Sequence, residues 1–136
     1  LIKNAFVYHK RRISWEKFQI QVNKFGKARP ILNSWYPEHK KITFWFPSLF
    51  LLGFLFSALL TIFKIYFFIG VYGLYFLLLF ISSLLSNKSF KIALYSVWAA
   101  LIQFYGYGKG FFLSYYKVEV LKQEPQIAFP ELFFKK

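Results

Sequence analysis

The sequence predicts an all-α membrane protein: an amphipathic interfacial helix, then a transmembrane hairpin, then a third, weaker transmembrane helix. The chain has 136 residues, of which 57% are hydrophobic and 25% aromatic. A soluble domain of this size could not bury that much apolar surface. Residues 44–63 and 65–85 carry no charge, and each run has about the 20 residues that a helix needs to cross a bilayer. A soluble enzyme, a disordered tail and a disulfide scaffold are therefore excluded.

The basic residues are concentrated before the first apolar run. Residues 1–43 hold ten Lys and Arg against two Glu, a net charge of +8, out of +13 for the whole chain. Basic residues beside a first span stay on the cytoplasmic side and are attracted to anionic lipid headgroups. We therefore expect residues 1–43 to be a cytoplasmic juxtamembrane segment with membrane lipids as partners. The spans that follow argue against nucleic acid as the partner of this segment.

A helix over about residues 14–28 is predicted inside this segment. Ser14 is a suitable N-cap, and Pro30 is expected to limit the helix at its other end because proline lacks an amide donor. Apolar residues recur at intervals of three, four and three on an otherwise polar and basic helix, a pattern typical of helices that lie among headgroups. The residues expected to anchor this helix in the membrane are Trp15, Phe18, Val22 and Phe25.

Residues 44–116 form the predicted transmembrane region, with spans at about 46–63, 66–85 and 92–113. Lys64 should mark the outer turn of the hairpin, and Lys88 begins the loop that returns to the cytoplasm. The third span is weaker because it contains Gln103, Lys109 and three glycines. Small residues on a membrane helix allow neighbouring backbones to approach closely. Residues 117–136 are a tail, amphipathic at best and irregular at the end.

No complete catalytic set can be built from these residues. The chain has no Cys, and all five of its acids are Glu, so an Asp-x-Asp metal motif and a Ser-His-Asp triad are both excluded. His9 is a weak metal-ligand candidate by spacing. The best candidate site is a polar row, Lys17, Gln21 and Lys24, whose spacing places the three side chains on one helix face. The row could hold a diphosphate or sugar hydroxyls, or it could be a solvated face that contacts lipid.

The order of several short segments resembles the C-terminal part of bacterial, membrane-anchored family 2 glycosyltransferases of the GT-A type. These segments, which precede the membrane segments, are Val7-Tyr8-His9-Lys10-Arg11-Arg12, Ser14-Trp15, Gln21 to Arg29, and Tyr36-Pro37. The resemblance implies a missing N-terminal catalytic domain with an Asp-x-Asp motif and a divalent Mg or Mn ion. It also implies a nucleotide-sugar donor, a lipid-linked or envelope acceptor, and the bacterial inner membrane. The chain alone is expected to bind no cofactor, and the lack of Met at position 1 suggests a C-terminal piece or a processed chain.

The resemblance also implies roles for five residues. His9, Arg11 and Arg12 would border the donor diphosphate, and Gln21 and Lys24 would lie on the acceptor side. Gln21 to Phe25 is similar to the Gln-x-x-Arg-Trp signature of processive members, with Lys in place of Arg. That exchange loses a bidentate fork and favours transfer of a single sugar. The alternative is a small, non-enzymatic membrane subunit that packs within a larger membrane complex.

Overall fold

A computed structural model describes residues 14–134, and this part of the chain is helical with no strand, as the sequence predicts. Four long helices follow one another: α1 (Trp15–Trp35), α2 (Phe46–Leu60), α3 (Phe67–Asn87) and α4 (Phe90–Ser114). Short 3₁₀ turns at Pro37–His39, Ile42–Trp45 and Thr61–Phe63 flank α2, and a π-helical turn, Tyr115–Val120, continues α4. Two one-turn helices, α5 (Pro125–Ala128) and α6 (Pro130–Phe133), end the described chain.

Two of these helices are long and apolar enough to cross a membrane. They comprise Ile42–Phe63, which includes α2 and its flanking turns, and Phe67–Asn87, which is α3. Lys64 lies in the turn between them in a left-handed conformation, with φ of 61°. The predicted hairpin of apolar helices is therefore present. In the part of the chain that the structure describes, α4 does not reach the same apolarity, because its helix includes Lys91, Lys109 and Gln103.

The first helix is longer than the sequence predicts. Ser14 caps it as expected, with its hydroxyl accepting a hydrogen bond from the backbone N–H of Lys17 at 3.3 Å. However, the helix passes through Pro30 and ends only at Trp35, so the predicted end near residue 28 is wrong. Pro30 is fully buried, and Ile31 belongs to a buried cluster with Val118 and Phe129. Tertiary packing thus holds the last turns of α1 despite the lost amide donor.

The helix α4 is the centre of the fold, because α1, α2 and α3 all pack against it. Gly106 and Gly110 face α1: a Cβ on Gly110 would collide with the carbonyl oxygen of Asn23, and one on Gly106 would touch Val22. Gly108 faces α2, where a Cβ would lie 3.0 Å from the carbonyl oxygen of Pro47. The three glycines therefore admit two helices on two sides of α4, which confirms their predicted role in close packing.

The contacts between α1 and α4 run in the same direction along both helices. Residues 19–22 meet Gly106, residues 23–27 meet Gly110, and Ile31 meets Val118. The two helices therefore run parallel in contact over several turns. The interfacial position of α1 and the third span at 92–113 stay predictions, because these contacts do not place either helix relative to a membrane. The periodicity of a helix does not show which other helix it packs against.

The described part of the tail, residues 117–134, packs against α1. Val118 and Phe129 pack on Ile31. In addition, the Lys27 ammonium and the Glu131 carboxylate are 2.8 Å apart. Because these contacts join residues 118–131 to the second half of α1, the two segments lie on the same side of the fold.

Candidate functional site

Three of the predicted site residues, His9, Arg11 and Arg12, lie outside the described residues 14–134. Nothing in the structure therefore bears on the predicted donor diphosphate contacts or on His9 as a metal ligand. Within residues 14–134, no group of three His, Asp or Glu side chains could hold a metal ion.

The four predicted anchoring residues do not share one environment. Val22 is only 6% exposed and packs on Gly106, so its prediction as a membrane anchor is corrected: it seats α1 on α4. Trp15 remains 41% exposed, with its ring 5.6 Å from that of Tyr95 on α4. Phe25 is 59% exposed and Phe18 is half-buried. The apolar stripe of α1 is thus wide enough to reach from the contact with α4 to the outer surface of the helix.

The two predicted acceptor-side residues are also separated. Lys24 is exposed and lines a groove between α1 and α4. Gln21 is half-buried and is not among the residues that line this groove. Lys24 therefore lies next to a concave surface, whereas Gln21 does not.

We call this groove the lysine groove. It has a volume of about 370 Å³, and three lysines, Lys24, Lys27 and Lys109, are among its lining residues. Its other lining residues are Gln19, Ile20, Asn23, Tyr105, Gly106, Leu113 and Glu131. At the groove the two helices are joined by a hydrogen bond from the Asn23 side chain to the carbonyl oxygen of Gly106, at 3.0 Å.

The charges in the lysine groove are partly balanced by the tail. Glu131 accepts a hydrogen bond from the Lys27 ammonium at 2.8 Å, and this bond is the main reason that the pKa of the Glu131 carboxyl lies below its ordinary value. Three cations and one carboxylate leave an excess of positive charge. Ammonium groups that converge in this way form charge-assisted hydrogen bonds to phosphate oxygens.

A second groove, the apolar groove, lies between α2 and α4. It has a volume of about 310 Å³ and is lined by Ser48, Leu51, Leu52, Tyr105, Gly108, Lys109, Phe112, Leu113 and Tyr116. The hydroxyl of Ser48 already donates to the carbonyl oxygen of Gly108 at 3.1 Å. The wall of this groove is almost entirely hydrocarbon, so Lys109 and the two tyrosines contribute chiefly their apolar parts to it.

The sequence did not single out Lys27 and Lys109 as site residues. Lys27 was counted only as part of a basic face, and Lys109 only as a weakness of the third span. A signal was nevertheless present: Lys109 is the only charged residue between Lys91 and Lys117, and it lies inside the glycine motif. Because the glycines bring a second helix close to Lys109, basic residues on that helix can lie beside it.

The described fold is thus a helical chain with two helices that could cross a membrane and a cationic groove beside them. Comparison of the chain with protein families, with curated proteins and with solved structures finds no match.

Proposed function

We propose that this chain is the membrane-anchoring, acceptor-side portion of a glycosyltransferase that moves a sugar from a nucleotide-sugar donor to a lipid-linked or envelope acceptor. The observation that carries the proposal is the lysine groove, which gathers Lys24, Lys27 and Lys109 beside the two apolar helices. A phosphorylated acceptor held at a membrane surface needs both features in one place. The reaction in this proposal, sugar transfer, is inferred from the resemblance of the segments around Gln21 to family 2 glycosyltransferases.

In this proposal the hairpin of α2 and α3 crosses the bacterial inner membrane, with residues 1–43 on the cytoplasmic side. The α1 helix and the second half of α4 lie together at the headgroup level, since their shared orientation and the charges of Lys24 and Lys109 suit that depth. Exposed aromatic side chains on α1, such as Trp15 and Phe25, suit the same interface. The membrane segments then act by holding the acceptor near the donor, which is an effect of proximity.

The chemistry belongs to a catalytic domain that precedes this chain. That domain would hold the divalent Mg or Mn ion, and His9, Arg11 and Arg12 would approach the donor diphosphate from the present chain. Gln21 and Lys24 would lie on the acceptor side, with Lys24 in contact with the acceptor and Gln21 behind it.

The test uses the longer reading frame that contains this chain. Membranes from cells that express it should transfer a labelled sugar from a nucleotide donor to a lipid fraction, and Lys24→Gln should lower this transfer about tenfold. Lys17→Gln is the matched control, since Lys17 is on the same helix face but does not line the groove. The proposal is wrong if the upstream frame encodes no domain with an Asp-x-Asp motif, or if both variants transfer sugar equally well.

A second function is favoured by a different observation, the surface of α3. None of its residues is buried, and side chains such as Phe67, Leu77 and Leu78 are more than half exposed. A small, non-enzymatic subunit would use such a surface to pack within a larger membrane complex. In that case the mature polypeptide runs at the mass of the 136-residue chain and co-migrates with larger proteins, and Lys24→Gln leaves any associated activity unchanged.

A further inference from the structure

The lysine groove and the apolar groove meet along one row of side chains. Tyr105, Lys109 and Leu113 line both grooves, and their spacing of four residues places them on one face of α4. The Lys109 ammonium lies 5.7 Å from the centre of the Tyr105 ring. The two grooves therefore adjoin along this row on α4, with the lysines of α1 on one side and the hydrocarbon of α2 on the other.

The two ends of the adjoining grooves differ in chemistry. The first end offers the ammonium groups of Lys24, Lys27 and Lys109, which bind phosphate oxygens. The second end is walled by Leu51, Leu52 and Phe112, which exclude water and favour a hydrocarbon. Each groove alone is at the lower end of the roughly 300–1,000 Å³ typical of small-molecule sites. A single ligand that fills both must carry a charge at one end and an apolar chain at the other.

We propose that the joined grooves bind a lipid phosphate with one hydrocarbon chain: its phosphate lies among the three lysines, and its chain runs between α2 and α4. This inference rests on the proposed function, because the lipid phosphate is the chemical class of the acceptor in that function. The charge complementarity selects the occupant. A free phosphate would leave the apolar groove unused, and a neutral lipid would provide no anionic group for Lys24 and Lys109.

Lys109 is central to this site because, among the described residues 14–134, it is the only lysine or arginine that lines both grooves. It holds the ligand at the junction of its phosphate and its chain. Glu131 neutralises part of the charge of Lys27, so that Lys24 and Lys109 contribute most of the attraction for the phosphate.

The experiment measures equilibrium binding of three probes to the purified full chain in neutral detergent: dodecyl phosphate, dodecanol and inorganic phosphate. We expect dodecyl phosphate to bind at least about tenfold more tightly than either of the others, since only it uses both grooves. Equal binding of dodecyl phosphate and dodecanol would overturn the inference, and so would equal binding of dodecyl phosphate and inorganic phosphate, which would indicate a site for free phosphate.

Two pairs of variants locate the site. Lys109→Gln should weaken dodecyl phosphate about tenfold and leave dodecanol unchanged. Its control is Lys91→Gln, because Lys91 is on the same helix and its ammonium also lies 5.7 Å from a tyrosine ring, that of Tyr95. No difference between these two variants would place the ligand elsewhere.

The second pair tests the hydrocarbon end. Leu52→Trp should fill the apolar groove, weaken dodecyl phosphate and spare inorganic phosphate, whereas Leu49→Trp, on the same helix and outside the groove, should change neither. If Leu52→Trp binds dodecyl phosphate normally, the chain does not lie in this groove. Circular dichroism of each variant identifies any loss of fold, and the tryptophan pair remains informative if a lysine variant does not fold.

Binding and sugar transfer separate the two proposals. Sugar transfer by the longer protein to an acceptor without a phosphate, together with no binding of dodecyl phosphate, would refute the lipid-phosphate site alone. Site-specific binding in a protein with no transfer would refute the proposed function alone.

Discussion

The helices α1 and α3 both pack against α4, but they do so in opposite ways. On α1, Val22, Gly26 and Pro30 are buried, although this helix has a polar and basic sequence. On α3, no residue is buried, although its sequence is strongly apolar. A water-soluble protein would show the reverse, because burial of apolar surface drives its folding. The contrast shows that backbone proximity fixes α1, while the apolar surface of α3 needs a cover from outside the described chain, which supports the membrane proposal.

The largest effect is expected at the backbone contact of α1. Gly26→Ala should destabilise the fold by about 1–3 kcal/mol, because an added Cβ would collide with the backbone of Tyr107 and overpacking carries a cost of that size. Gly73→Ala on α3 is the control: nothing lies within 4 Å of its Cβ position, and alanine is the better helix former, so stability should rise by up to about 1 kcal/mol. Unfolding in detergent, followed by circular dichroism, measures both. Effects of the same sign would contradict the contrast.

The next effect separates the two parts of the apolar stripe on α1. Val22→Ala should cost about 1.5 kcal/mol, because buried hydrocarbon is lost from the contact with Gly106. Phe25→Ala should change stability by less than about 0.5 kcal/mol but should weaken adsorption of the chain to anionic vesicles. Denaturant unfolding and vesicle sedimentation measure the two quantities. If Val22→Ala weakens adsorption without loss of stability, the helix faces the membrane with its other side.

A smaller effect is expected between α3 and α4. The hydroxyls of Ser83 and Ser96 are 2.8 Å apart and form a hydrogen bond between the two helices. Ser83→Ala should cost about 0.6 kcal/mol, the average for such bonds between membrane helices. Ser82→Ala, one residue away and exposed, should cost nothing. A cost near that of Gly26→Ala would show that α3 is held as firmly as α1.

The fold class, the cap at Ser14 and the hairpin around Lys64 could be predicted from the sequence, because each depends on residues that are near one another in the chain. The length of α1 could not, since Pro30 is a helix breaker by itself and is held in the helix by packing. The lysine groove could not be predicted either. Lys24 and Lys109 come together only when α1 packs on the glycines of α4. The sequence of one helix does not show which of its faces the other helix will cover.

The smallest effect concerns the tail. The pKa of the Glu131 carboxyl is lowered from 4.5, chiefly by its hydrogen bond from Lys27, so the carboxylate stabilises the folded tail above the ordinary pKa. That stabilisation is lost as the pH falls through the lowered pKa. Since Glu131 is partly exposed, we expect less than about 1 kcal/mol. The protection factors of residues 125–133, which are the intrinsic exchange rates divided by the observed rates at the same pH, should therefore fall modestly below about pH 4.5.

The control for the tail is Glu131→Gln. At neutral pH its residues 125–133 should already have the lower protection factors, and these should show no further fall in acid. Glu124→Gln, on an exposed residue nearby, should keep the fall in acid. A fall in acid that persists in Glu131→Gln would show that Glu131 is not the group responsible. The Lys27–Glu131 ion pair should thus contribute far less than the contact of α1 with α4, because the ion pair is screened by solvent whereas the backbones of α1 and α4 are in direct contact.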